Sequence, residues 1–377
     1  MTPPENAAPD LAVLVSFSGE GGVERMILNL VNALAEQGVR LDLLLIKTRS
    51  KHLEALHPAI NRIDLGSRHT ATSLLPLARY LKRVQPPALL AAKDRAGRVA
   101  VLARLLAGTP ATRLVMRLGT NLTAALAHKS PWRMRLRRLP IRLLYPRLER
   151  IIAVSEGVRQ DTLAVSGVDP DKVVVVRNPV ITQRLQQDAE APPPHPWLTD
   201  GGDPVILGAG RLTLQKDFLS LLEAFARVRE TMPCRLIILG EGRQREVLQQ
   251  RADELAIQAD MAMPGFTPNP YVYMRHARLF VLSSRWEGSP NVLTEAMALG
   301  VPVVATDCPS GPREILDQGR IAPLVPVGDV AALARGMSQA LSQPPDRESL
   351  RDAVAEYHAD CSARRYLDII SPHHSCD

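Results

Sequence analysis

In the stretch RWEGSPNVLTEAMALG, residues 285–300, Glu287 and Glu295 flank a Ser-Pro-Asn turn that leads into an alanine-rich run. Ser289 reads as a helix N-cap, Pro290 as the first helical residue and Gly300 as the stop. Proline has no N–H, so the open donors at this helix start are those of Asn291, Val292 and Leu293. Together with the helix dipole they form an anion site that suits a phosphate. Glu295, about a turn and a half into the helix, can accept hydrogen bonds from hydroxyls of whatever carries that phosphate. Glu287 stays in the loop before the helix. Taken singly, each glutamate also reads as an ordinary surface charge; other anion-binding pieces must decide between the two.

Those pieces are present. In GRLTLQKD, Arg211 and Lys216 follow the strand PVILGAG and its Gly208 and Gly210. Near the N-terminus, SFSGEGGVER places Gly21 and Gly22 after another strand, where a phosphate could approach the backbone closely. Neither loop is a dinucleotide fingerprint, because Thr213 stands where a third glycine belongs, and no P-loop Lys-Ser/Thr pair follows. Alone, the cations read as surface charges and the glycines as a tight turn.

The elements that must position these groups form a βα alternation: LAVLVSFS, GVERMILNLVNALAEQG, RLDLLLIK, PALLAAK, TRLVMRLG, RIIAVS and KVVVVRN, then a second series from PVILGAG through VPVVATD. This predicts an α/β fold with parallel sheets, in two domains, since 377 residues exceed what one core usually serves. The expected division is an N-terminal domain over 1–182, a Pro-rich linker over 183–200 and a second domain over 201–355. A helix and tail over 356–377 are expected to pack back on the first domain. The helix N-terminus at 289–293, the cations Arg211 and Lys216 and the glycine loop at 19–22 all fall at C-terminal strand ends, where ligands of open α/β sheets bind. Two such domains facing each other would bring them together on one diphosphate in a cleft.

Composition narrows the class. Hydrophobic content of 46% and charged content of 23% are those of a soluble globular protein, and a net charge of +7 favours anionic partners. Cys234, Cys308, Cys361 and Cys376 form no C-x-x-C pair, which speaks against a disulfide framework or zinc site and fits a reducing cytoplasm. The sequence MTPPENAAPD has no signal-peptide pattern, and no stretch approaches bilayer-spanning length.

The chain resembles the retaining glycosyltransferases of family 4, with the GT-B fold of two Rossmann-like domains. The resemblance rests on Gly21-Gly22 with Glu24, Arg211 and Lys216 in GRLTLQKD, LGEG at 239–242, PGF at 264–266, the pair in EGSPNVLTE, and GVPVVATDCPSGPREIL. It implies transfer of a hexosyl or N-acetylhexosaminyl group from a nucleotide-diphosphate donor, expected to be a UDP-sugar, to a glycan or lipid-linked acceptor. By the same resemblance, Arg211 and Lys216 hold the diphosphate with the amides after Pro290, and Glu295 holds the ribose. Glu287 contacts the sugar and the backbone at Phe266 pairs with the base; Gly21, Gly22, Gly210 and Ser289 complete the donor site. Fixed cations and amides can stabilise the departing diphosphate without a metal, so no cofactor is expected.

One departure concerns the first domain. After TRLVMRLG, where many family members carry a histidine, this chain has Gly119, Thr120 and Asn121, and His128 is out of register. Candidate acceptor contacts are Lys93, Asp94, Arg117, Thr120 and Asn121. The DPD at 169–171 reads as a turn, and His373, His374 and Cys376 have poor ligand spacing. The stretch PWRMRLRRLPIRLLYPRLER interleaves arginines from Arg133 to Arg150 with leucines, which suits either a solvated helix face or an anionic membrane surface holding a lipid-linked acceptor at the inner face of the cell membrane. Nucleic acid fits less well, because no aromatic platform accompanies the charge. Two rival functions remain at this level: a sugar-nucleotide epimerase of the same architecture, for which no carboxylate-histidine set is seen, and a non-enzymatic basic adaptor, which leaves the Glu287, Glu295, Arg211 and Lys216 pattern unexplained.

Overall fold

The computed structural model describes residues 8–17, 22–48, 50–123, 131–199 and 202–370. The chain divides into two compact units, one of residues 1–179 with 359–377 and one of 180–358.

The first unit holds a seven-stranded sheet in the order β3-β2-β1-β4-β5-β6-β7, every pair parallel. Its strands are β1 (Leu11–Phe17), β2 (Leu41–Thr48), β3 (Asn61–Asp64), β4 (Ala88–Ala91), β5 (Arg113–Leu118), β6 (Arg150–Ala153) and β7 (Val173–Val175). β1 is apolar almost throughout because both its faces are covered: Ala12 and Leu14 pack into one core, and Leu11, Val13, Val15 and Phe17 into another.

The second unit holds a six-stranded parallel sheet in the order β10-β9-β8-β11-β12-β13. Here β8 is Val205–Ala209, β9 Arg235–Leu239, β10 Met261–Gly265, β11 Leu279–Leu282, β12 Val303–Thr306 and β13 Leu324–Val325. The same alternation recurs. Ile237 and Leu239 of β9 enter one core while Leu236 and Ile238 enter the other.

The Pro-rich stretch expected to be a linker is built into the second unit. Thr182 caps a helix, Gln183–Ala189, and Leu185, Ala189 and Leu198 are buried in that unit's core. Composition alone did not show this, because the buried apolar positions are few and widely spaced. Past residue 358 the chain belongs to the first unit, where the helix Ala359–Ile370 buries Ala359, Ala363, Tyr366 and Ile370 at helical spacing beside Met26, Leu30 and Leu34. Ser362 ties it down by donating to the carbonyl of Arg177 at 3.0 Å.

Candidate active site

In each sheet the strand order reverses once, between β1 and β4 in the first and between β8 and β11 in the second. Such a switch point leaves a crevice at the carboxyl ends of the strands. In the second unit its two sides are the loop 210–217 after β8 and the loop 283–290 after β11.

Lys216 and Glu287 face each other across it. Lys216 Nζ donates to Glu287 Oε1 at 2.6 Å, and Ser284 Oγ donates to the same oxygen at 2.7 Å. Both charged side chains are largely enclosed, 15% and 9% exposed. No hydrogen bond among the described residues reaches Glu287 Oε2. Backbone and side-chain bonds stitch the loops together: Ser283 Oγ to the Lys216 carbonyl at 2.8 Å, Gln215 Nε2 to the Trp286 carbonyl at 2.9 Å, and the Arg285 amide to the Gln215 carbonyl at 2.8 Å. Arg285 also grips buried Asp217 through two 3.0 Å contacts. Arg211 is exposed and has no acidic partner among the described residues.

Glycines allow this crowding. At Gly210 a Cβ would stand 2.9 Å from Lys216 Cε, so the lysine stem lies directly over the backbone. At Gly240, after β9, a Cβ would collide with the Gly210 carbonyl oxygen. The two loops meet backbone to backbone, which any side chain at Gly240 would prevent.

The helix Asn291–Ala298 differs from expectation at its start. Pro290, extended at ψ 94°, is the residue before the helix, and the Ser289 hydroxyl makes no cap bond. The Pro290 carbonyl already accepts from Leu293 N at 3.0 Å and Thr294 N at 3.4 Å. Leu293 is therefore not an open donor, because its amide closes the first turn. The Val292 amide has no carbonyl of its own helix to reach. Freed from capping, the Ser289 hydroxyl oxygen is buried with no hydrogen-bond partner among the described residues, as is Thr294 Oγ1. A buried hydroxyl left so is costly unless a ligand or water meets it. Glu295 is buried in the same helix, and Phe266, just beyond β10, is 47% exposed. Cys308 lies close by. Burial, with the Glu287 charge adding, pushes its thiol up to about 12.

In the first unit a cavity of about 510 Å³ opens at the switch point between β1 and β4, with Lys93, Asp94, Arg117, Gly119 and Thr120 in its wall. Two of these side chains are occupied in holding the fold. Asp94 accepts from Tyr145 Oη at 2.9 Å and from Arg98 at 2.7 Å. Arg117, 2% exposed, donates to Asn178 Oδ1 at 2.7 Å and lies against Tyr366 of the C-terminal helix, and burial lowers its pKa. Thr120 is exposed and Asn121 half-buried. Gly22 opens the helix Gly22–Glu36, in which Glu24 is buried, and Gly21 lies outside the described residues.

Ser283, Ser284, Gln215 and the Arg285–Asp217 pair were not singled out from sequence. The available signal was the polar ending of β11, where two serines follow an apolar run. The DPD stretch is a turn, with Asp169 accepting from the Asp171 amide at 2.9 Å. Among the described residues no cluster of three or more His, Cys, Asp or Glu is arranged to hold a metal ion; His373, His374 and Cys376 lie outside them.

Two family models match the chain, Glycosyltransferase Family 4 over residues 20–184 and Glycosyl transferases group 1 over residues 194–357. The chain belongs to the group 1 glycosyltransferases. It is 27% identical over 355 residues to the N-acetylgalactosamine-N,N'-diacetylbacillosaminyl-diphospho-undecaprenol 4-alpha-N-acetylgalactosaminyltransferase of Campylobacter jejuni, covering 91% of this chain and 93% of that one. An uncharacterised glycosyltransferase of Methanocaldococcus jannaschii is 39% identical over 148 residues, which span 39% of this chain and 36% of that relative. Among solved structures, HepE of Anabaena in complex with UDP and glucose superposes with a TM-score of 0.77 at 18% identity, covering 97% of this chain and 100% of that one. The apo lipopolysaccharide outer core galactosyltransferase WaaB gives 0.71 at 20% identity over 96% and 98%. The fold of this glycosyltransferase is thus GT-B, and its Lys216–Glu287 pair lies in the segment matched by the group 1 model.

Proposed function

We propose that this glycosyltransferase moves a hexosyl or N-acetylhexosaminyl group from a UDP-sugar to a glycan or lipid-linked acceptor of the cell surface, with retention of configuration and without a metal. The observation that carries the reading is the enclosed Lys216–Glu287 pair across the second switch point, beside the orphaned Ser289 hydroxyl. Lys216, Arg211, the Val292 amide and Ser289 Oγ are the groups for the diphosphate, and Glu295 for the ribose hydroxyls. Glu287, whose Oε1 is already taken, offers Oε2 to the sugar. The exposed Phe266 segment is the place for the base.

In the transfer the bond from the anomeric carbon to the leaving phosphate oxygen breaks, and a bond to the acceptor oxygen forms on the same face. The leaving oxygen takes the acceptor proton, so the protein supplies charge rather than a base. Fixed cations aimed at the charge that grows on the diphosphate are the largest expected contribution. The names of relatives support the setting: the Campylobacter enzyme is named for a diphospho-undecaprenol substrate, and LpsE of Rhizobium meliloti, 27% identical over 345 residues, for lipopolysaccharide core biosynthesis.

Attachment to the inner membrane face is the second part of the proposal. No described helix is long and apolar enough to cross a membrane. On the helix Pro131–Leu144 and just beyond, Arg138, Arg142, Arg147 and Arg150 are exposed, with Leu139 and Leu143 exposed between them. Arg133, Arg135 and Arg137 lie outside the residues whose side chains are described.

A panel of nucleotide sugars, scored by thermal stabilisation and by product with and without EDTA, tests the whole reading. The expected result is stabilisation by UDP-sugars, and nucleotide release with acceptor that survives EDTA. An isomerised donor would indicate an epimerase, and activity lost to EDTA and restored by magnesium or manganese would end the metal-free assignment.

A further inference from the structure

The second unit has another cavity, of about 600 Å³, at the opposite edge of its sheet. Pro204, Arg278 and Pro302, which line it, immediately precede or lead into β8, β11 and β12. The strands are parallel, so all three mark the amino ends, and the donor loops lie at the carboxyl ends. A strand of this length separates the two edges by roughly 15 Å.

Four arginines line this recess: Arg275 and Arg278 around the end of one helix and the start of β11, and Arg347 and Arg351 on the helix Arg347–Asp352. All four are exposed, and none has an acidic partner among the described residues. The acidic residue among the described lining is Asp203, already bonded to Arg235 at 3.3 Å. The guanidinium of Arg351 lies over Gly300, where a Cβ would stand 3.1 Å from it. Gathering uncompensated guanidinium groups around one recess is electrostatically unfavourable unless an anion joins them.

We propose that this cavity is a second anion site, which takes a soluble ligand carrying more than one phosphate. The planar donor fork of arginine matches phosphate oxygens in pairs, which favours phosphate over a dispersed negative surface. The volume lies in the range of small-molecule sites and exceeds what a single phosphate fills. Recognition runs through the phosphates, because the lining offers four guanidinium groups, and one face of its Trp197 ring already carries Arg235 at 4.8 Å. The recess favours a soluble anion over a bilayer, which needs a protruding face.

The test uses inorganic pyrophosphate as the probe and calorimetry as the readout. The full-length chain carries Arg211→Ala with Lys216→Ala, so that the proposed donor site is disabled. Saturable pyrophosphate binding should persist in this background. It should weaken by roughly tenfold or more on adding Arg275→Gln with Arg278→Gln, and independently on adding Arg347→Gln with Arg351→Gln. The two pairs sit on separate elements and are exposed, so an unchanged melting profile serves as the folding control. Absence of pyrophosphate binding in the background, or binding by both arginine variants as tight as in the background, overturns the proposal. So does a pattern in which the arginines matter only for sedimentation with phosphatidylglycerol vesicles. None of these results depends on which sugar nucleotide the enzyme uses.

Discussion

Lys216 Nζ lies 2.6 Å from Glu287 Oε1 although 71 positions separate the two residues, and Ser284 Oγ shares that same oxygen at 2.7 Å. The pair is held by loops from two neighbouring strands, so it exists only when both strands are seated. A carboxylate and an ammonium enclosed this far are each costly to leave alone.

This gives the two cation variants different signatures. Lys216→Ala should lower turnover by on the order of a hundredfold or more and also reduce stability by about 3 kcal/mol, because it leaves the Glu287 carboxylate buried without its counter-charge. Arg211→Ala should lower turnover comparably while leaving the urea midpoint nearly unchanged, since Arg211 is exposed and unpaired among the described residues. Wild-type kinetics in both variants would remove the proposed diphosphate site.

Glu295 should act on binding. It is buried within the helix that follows the donor loop, at the place proposed for ribose hydroxyls. Glu295→Gln should raise the KM for the donor by roughly tenfold with a smaller change in kcat, because the bonds it makes are present before and during transfer. A fall in kcat at constant KM would place it in the chemistry instead.

The arginine-leucine segment makes a membrane prediction. Each arginine near an anionic surface contributes roughly 1 kcal/mol, within a Debye length of about 8 Å at physiological salt. Replacing Arg133, Arg135, Arg137 and Arg138 with glutamine should abolish sedimentation with phosphatidylglycerol vesicles and leave nucleotide-sugar affinity intact. Equal sedimentation of variant and wild type would return the segment to a solvated helix face.

Alkaline pH should destabilise the fold through its buried thiols. Burial raises Cys234 to about 11 and Cys308 to about 12, from an ordinary value of 9.0. Above that ordinary value the unfolded chain loses protons that the folded chain retains. Stability from these groups is therefore complete below it, and is lost as pH rises toward the folded values. Urea midpoints should decline across this window, and less steeply in Cys308→Ala. A flat profile in the wild type would contradict the assignment.

The sequence determined the α/β class, the division into two units and the position of Arg211, Lys216 and Glu287 in loops at strand ends, with Glu295 in the helix that follows. These follow from local causes: apolar runs of strand length, helix formers between them, and glycines at turns. It did not determine that β8 and β11 are neighbours. Strand order is a non-local choice, and only that adjacency turns two separate loop charges into a 2.6 Å pair. Nor could it show that Leu293 spends its amide on the Pro290 carbonyl, since one residue's backbone angle moved the helix start past Ser289. In the first unit the chemistry of Asp94 and Arg117 looked available in sequence. Tertiary packing assigned both to internal partners, the half-buried Asp94 to Tyr145 and Arg98 and the buried Arg117 to Asn178, because a charge withdrawn from water must find its hydrogen bonds within the fold. The arginine recess is of the same kind: Arg275, Arg278, Arg347 and Arg351 belong to segments about 70 residues apart, and parallel strands with their amino ends on one edge brought them to a single wall.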